Sequence, residues 1–289
     1  MNRGIRALVL GILVADVSSA PVAAQSPDSV GPAAPRREVR EQLGASVNNM
    51  GLQNSVEIGW TWPLSASRHP LLSDAHISAG VTHALTPAQT RLGGWLEYAP
   101  LSILSVRAGV DPTAYFGTFR SLMSFDSYTD PFSKKDRDAR GGSRAGTGAR
   151  VYVSPAVKVK AGPLVAMSSA DFEWWQSSAS GALFYEPTRD TLLKSRGDRL
   201  VNTTTVALFQ RGSGSGGTFS IGGIHTLTHV LDAPDNRIQK LGAIAVREFR
   251  SSHFRVPRPR VTLVVARYLN DPSKQHQWSA AMAIGFTAR

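Results

Sequence analysis

His76 and Ser78 come nearest, in type and spacing, to a catalytic pair. In His76-Ile77-Ser78-Ala79-Gly80 the imidazole and the hydroxyl stand two residues apart. On a strand that spacing puts both on one side, close enough for a base to activate a nucleophile. The chemistry would be ester or acyl hydrolysis. The apolar stripe Ile77, Ala79, Val81 takes the opposite face, however, and a His and a Ser two apart recur often by chance. Two polar groups on an inner wall are the preferred reading.

Other constellations are weaker. Asp126, Asp130, Asp136 and Asp138 cluster between 111 and 143 but lack the regular Asp-x-Asp-x-Asp-Gly order of a calcium loop, and Lys134, Lys135, Arg137 and Arg140 neutralise them. His225 and His229, four apart, would share a helix face, yet they fall on an expected strand. Gly212, Gly214, Gly216 and Gly217 lack the Lys-Ser/Thr ending of a phosphate-binding loop and read as a turn. No metal site and no cofactor are expected. Phe172, Trp174 and Trp175, with Glu173 among them, could stack on sugar rings; the preferred reading extends strand 156–167 upward as a hairpin with 181–187.

The elements that must position these groups are strands. At the C-terminus Trp278, Ala280, Met282, Ile284 and Phe286 alternate with Ser279, Ala281, Ala283, Gly285 and Thr287. A period of two places bulky apolar groups on one face and small or polar groups on the other, as a strand between lipid and a wet lumen requires. The same stripe appears in Val56, Ile58, Trp60, Trp62 and in Ala149, Val151, Val153. The pattern predicts strands near 43–50, 55–62, 76–85, 90–98, 102–110, 144–153, 156–167, 200–210, 218–230, 238–250, 260–268 and 278–286. In the tenth and eleventh, Ile244, Val246 and Val261 to Val265 are apolar on both parities.

Twelve strands, within a range of ten to fourteen, satisfy a parity condition, because single-chain bacterial barrels carry short periplasmic turns and long outer loops. The two longest connections, 111–143 and 168–199, fall together on the outside. The tight links at Ala99-Pro100-Leu101, Ser154-Pro155 and Arg211 to Gly217 fall on the other side, as do the longer connections 63–75 and 251–259. Trp60, Trp62, Trp95, Tyr98, Tyr268 and Trp278 lie near strand ends, where amphipathic rings form interface girdles.

Arg3 and Arg6 precede an apolar run from Ala7 to Ala15, and Val22-Ala23-Ala24 offers a cleavage site before Gln25. The run is far short of the roughly 20 apolar residues of a spanning helix, so residues 1–24 read as an export signal. Residues 25–42 read as a periplasmic tail with about one helical turn, and 43–289 as the barrel. The 289 residues contain no cysteine, which rules out disulfides and thiolate metal sites. Lys and Arg number 32 against 21 Asp and Glu, for a net charge of +11 that falls by one with the signal. This balance favours anionic partners such as lipopolysaccharide phosphates or anionic solutes. The basic residues are scattered, which disfavours nucleic acid.

On the signal ending Val22-Ala23-Ala24, the alternating runs and the closing strand, the chain resembles bacterial outer-membrane β-barrels as a class. The resemblance implies an all-β, antiparallel up-and-down transmembrane barrel. It also implies that the assembly machinery reads the last strand at Phe286, behind which only Thr287-Ala288-Arg289 follow. Two enzyme families on this fold, the outer-membrane phospholipases and the lipid A deacylases, carry a His and a Ser two apart but present them outward. The phospholipase pattern also has Asn where Ala79 stands, and a Ser-Arg-Ser segment not found here.

Alternation sends Glu57, Glu97, Arg91, Arg107, Arg150, Lys158 and Lys160 inward. Five basic groups against two acidic ones would favour anions along a water path, or the groups pair and fill a narrow lumen. The expected function is a passive channel for small anionic solutes. The alternatives are a non-conducting structural or surface-binding barrel acting through its outer loops and, less favoured, a lipid hydrolase using His76 and Ser78. A soluble β-sandwich is the rival fold.

Overall fold

A computed structural model describes residues 35–48, 51–67, 69–213, 217–233, 235–249 and 259–288. The expected export signal, residues 1–24, lies outside the described residues. Twelve strands close into one antiparallel barrel: β1 (Arg36–Val47), β2 (Gly51–Pro63), β3 (His76–Leu85), β4 (Gln89–Leu101), β5 (Leu104–Phe116), β7 (Ala145–Ala161), β8 (Leu164–Ser177), β11 (Asp198–Ser213), β12 (Gly217–Val230), β13 (Arg237–Glu248), β14 (Arg260–Asn270) and β15 (Trp278–Ala288). Three short strands, β6 (Ser124–Phe125), β9 (Leu183–Glu186) and β10 (Thr191–Lys194), form a separate sheet in the order β10-β9-β6, and α1 spans Lys134–Arg140. The rival sandwich would leave sheet edges, but here β1 pairs with both β2 and β15 and no edge remains.

The inward and outward sets follow the alternation. Leu92, Leu96, Val110, Val151, Leu263, Val265, Met282 and Trp278 are exposed on the outer wall, while their strand neighbours Gln89, Asp111, Tyr152, Thr262 and Ala283 are buried inside. Both chain ends of the barrel lie at one rim, here called lower. The connections 117–144 and 178–197 share the opposite, upper rim, as the parity condition requires.

Several expected boundaries are corrected. The stretch expected as a tail to residue 42 is already strand from Arg36, since Glu38 and Arg40 face inward and Arg40 meets Glu38 and Glu57. Charge at Glu38 and Arg40 therefore marks an inner wall, while Arg37 and Glu41 face outward near the lower rim. Ser154-Pro155 is not a turn: β7 runs through it, and the reversal comes at Gly162, whose φ of +59° suits glycine. Pro155 stays in register with Val106, while the ladder to β8 skips from Val153 to Ala156, because proline offers no N–H there. Likewise β4 continues through Pro100, and the lower reversal falls at 102–103. The expected hairpin of 156–167 with 181–187 does not form, since β8 pairs with β11 along its length.

Two of the six girdle aromatics are also misassigned. Trp60, Trp62, Tyr98 and Trp278 are exposed on the outer wall, but Trp95 (8% exposed) and Tyr268 (1%) point into the barrel. Small residues on neighbouring strands make room for Trp95: a Cβ added at Gly80 would stand 2.5 Å from its Cζ2, and one at Gly59 3.1 Å from its ring. Gly80→Val is therefore expected to block closure of β2, β3 and β4 around the ring. In unboiled gel electrophoresis this variant should migrate at the position of the boiled, unfolded chain; retained fast migration would contradict the packing.

Tyr115, Leu122, Trp175, Phe184, Leu193, Leu200, Val230 and Ala233 form a buried apolar cluster at the upper mouth, and Met123, Phe125, Phe132, Leu183, Tyr185 and Leu192 form a second around the small sheet. A third lies on the inner wall of β8, β11, β12 and β13, with Val165, Val206, Leu208, Ile224, Ile244 and Val246. It accounts for the strands that are apolar on both parities, whose inner face here is packed core and not wet lumen.

Candidate functional site

The lumen carries the polar groups, so the site is built from its inner wall. At the lower end Arg107 Nη1 lies 2.9 Å from Glu57 Oε2 and its Nε 3.0 Å from Glu97 Oε2, with the guanidinium stacked 4.0 Å from the Trp95 ring. His76 Nε2 is 3.2 Å from Glu97 Oε1, and its Nδ1 is 2.6 Å from the Asp74 carbonyl. Higher up, Arg150 donates to Asp111 Oδ2 from Nε at 2.9 Å and to Glu173 Oε1 from Nη1 at 2.8 Å. The Trp175 indole donates to Glu173 Oε2 at 2.7 Å. Lys160 donates to Gln210 at 2.8 Å.

A hairpin reaches across the upper mouth. β9 and β10 are joined by the four-residue tip 187–190, with Asp190 at φ +56°. This tip turns inward and engages the wall on several sides. Arg189 bonds Glu173, with Nε at 3.0 Å from Oε2, and reaches Asp171 at 3.3 Å. Arg91 of β4 donates to Thr188 at 3.2 Å and lies 3.9 Å from Glu186, which accepts from the Tyr115 hydroxyl at 2.7 Å. Asp190 pairs with Lys274, in the β14–β15 connection, and accepts from Tyr185 at 2.6 Å. Asn236, in the β12–β13 connection, receives Thr191 at 2.8 Å and donates to the Leu192 carbonyl at 3.1 Å. β4 and β14 stand nearly opposite each other in the twelve-strand ring, so the tip spans the mouth.

The cap above is held by its own chemistry. Tyr128 donates to Asp198 at 2.5 Å, and burial together with that carboxylate pushes its phenol well above the usual range. Lys194 and Arg199 clasp Asp232 at 2.7 and 3.1 Å and hold its carboxyl low. The aspartates weighed for calcium are used otherwise: Asp136 closes a capping box with Ser133 on α1, Asp138 pairs with Lys134 and Arg120, and Asp130 pairs with Arg140. Among the described residues no cluster of His, Asp and Glu has the makings of a metal site.

All seven residues expected inside, Glu57, Arg91, Glu97, Arg107, Arg150, Lys158 and Lys160, lie on inward positions. Their expected surplus of positive charge does not hold. Asp111, Asp171, Glu173 and Glu186 were assigned to outer loops, but β5 runs to Phe116 and β8 to Ser177, bringing the first three onto the wall, while Glu186 enters on the hairpin. The signal was present in the alternation of Phe172 and Trp174 with Asp171, Glu173 and Trp175. His76 and Ser78 share the inner face but are not joined: Ser78 Oγ lies 2.8 Å from Thr61 Oγ1, and His76 uses both nitrogens elsewhere. His225 and His229 face outward on β12, with His225 bonded to Gln239 at 2.9 Å. Phe286 lies on the outer face near the lower end of β15, opposite Glu41.

Closure without edges, an apolar outer wall and a polar, ion-paired interior make this a transmembrane β-barrel of the bacterial outer-membrane type. No family model matches the chain, and no curated protein matches it. Among solved structures it is similar to the β-domain of the Bordetella autotransporter BrkA, at 15% identity, TM-score 0.44 and coverage of 88% of this chain and 99% of that one. It is also similar to the translocator domain of the autotransporter NalP from Neisseria meningitidis (9% identity, 90% of each chain, TM-score 0.42). A third, the Vibrio cholerae outer membrane protein OmpT, gives 8% identity, TM-score 0.36 and coverage of 88% and 96%.

Proposed function

We propose that this chain is exported to the outer membrane of a Gram-negative-type bacterium, where it forms a capped, non-conducting barrel that meets its surroundings through the folded cap at its upper rim. One observation carries the reading: the tip 187–190 crosses the mouth from β4 to the β14–β15 connection and is tied to the wall by Arg189 on Glu173. The anionic-channel reading needs unbalanced lumen charge, whereas Arg91, Arg107 and Arg150 each meet a carboxylate. A hydrolase reading needs His76 on Ser78, and both are engaged by other groups.

Planar-bilayer recording on the refolded mature barrel tests the proposal. The expected trace is flat at moderate voltage, with folding established separately by heat-dependent gel migration. Steady anion-selective steps would overturn it and restore Arg107 and Arg150 as selectivity elements.

A further inference from the structure

Among the described residues, outward-facing guanidinium groups on the strands near the upper rim occur in one sector. Elsewhere at that rim Val47, Leu85, Phe116, Trp174 and Trp278 form the exposed outward surface of other strands. On β11 to β14, by contrast, Arg199, Arg237 and Arg267 face outward and are exposed, with His229 of β12 directly opposite Arg237 in the register. Arg199 shares Asp232 with Lys194, and Arg267 spends its Nε on the His276 carbonyl at 3.3 Å. Arg237 has no carboxylate within ion-pair distance among the described residues.

Charge on a membrane-facing wall is costly unless a counter-charge meets it. At the level of the headgroups the available counter-charge is lipid phosphate, which a guanidinium binds through paired N–H groups. We propose that the upper outer sector of β11–β14 binds the phosphorylated headgroup of an outer-leaflet lipid, with Arg237 and Arg267 as cationic contacts. This site stands independently of whether the lumen conducts.

Native mass spectrometry of the full folded barrel in detergent tests it, with lipopolysaccharide and the same lipopolysaccharide dephosphorylated as probes. The phosphorylated form should be retained, R237Q alone should reduce retention about tenfold, and R237Q/R267Q about a hundredfold, one charge-assisted contact at a time. R211Q, at the lower rim, should leave it unchanged, and millimolar inorganic phosphate should not displace the lipid. Equal retention of the dephosphorylated form, unchanged retention by the double variant, or displacement by inorganic phosphate would each overturn the proposal. Gel migration confirms folding, and should the double variant fail to fold, R237Q alone serves for the comparison.

Discussion

R189E/D190K is expected to turn a silent barrel into a conducting one. Reversal at 189 sets a carboxylate against Glu173 and Asp171, and reversal at 190 sets an ammonium against Lys274. Like charges at buried contact distance repel by several kcal/mol, on the scale of what holds a short hairpin in place. The tip should leave the mouth while the twelve-strand wall stays closed. Bilayer recording should then show discrete steps absent from the unaltered protein, with heat-dependent gel migration retained. A silent but folded variant would mean that the hairpin is held by its apolar clusters alone.

Glu173→Ala should be among the most destabilising single substitutions in the chain. Glu173 is fully enclosed and accepts from Arg150, Arg189 and the Trp175 indole. Its removal leaves Arg150 with Asp111 and Arg189 with only the longer contact to Asp171, the two guanidinium groups side by side without the carboxylate they share, and loss of one member of a buried ionic cluster costs about 3–5 kcal/mol. Urea titration followed by tryptophan fluorescence should show the midpoint falling well below that of the unaltered barrel. A loss under about 1 kcal/mol would mean that water reaches this level of the lumen and screens the charges. Glu173→Gln should recover part of the loss, since its amide oxygen still accepts hydrogen bonds.

The wall was legible in the sequence wherever one face is lipid-like and the other is not. β15 reads directly from Trp278 to Thr287, and β2 from Val56 to Trp62. Legibility failed where inward charge looked like loop. Asp111, Asp171 and Glu173 are polar residues on strands, and the groups that neutralise them lie far away in sequence: Arg150 is 39 positions from Asp111, and Arg189 is 16 from Glu173. Local pattern holds no information about such partners, so an extended strand top was read as the start of a loop and the lumen as an excess of basic charge.

The cap was illegible for a different reason. Leu183, Phe184, Tyr185 and Glu186 are buried in succession on a four-residue strand, so no alternation marks it. Its partners β6 and β10 are two and four residues long, below the length at which periodicity carries weight. What stabilises the small sheet is burial against Tyr115, Trp175, Leu200 and Val230 of the wall, a tertiary effect. Hence the outer loops were expected as open candidates for binding, whereas one of them folds inward across the mouth and bonds to the wall.

The most direct test of the inserted hairpin uses the absence of cysteine from the chain. Thr191→Cys places a single thiol at the start of β10, at a position with 0% exposure, with Lys135→Cys on the outer surface of α1 as the exposed reference. In the folded barrel the Cys at 191 should resist a charged, membrane-impermeant thiol reagent that labels the Cys at 135 promptly, and it should react at the reference rate only after boiling. Labelling at the same rate in both folded variants would place the hairpin in solvent and contradict the capped barrel.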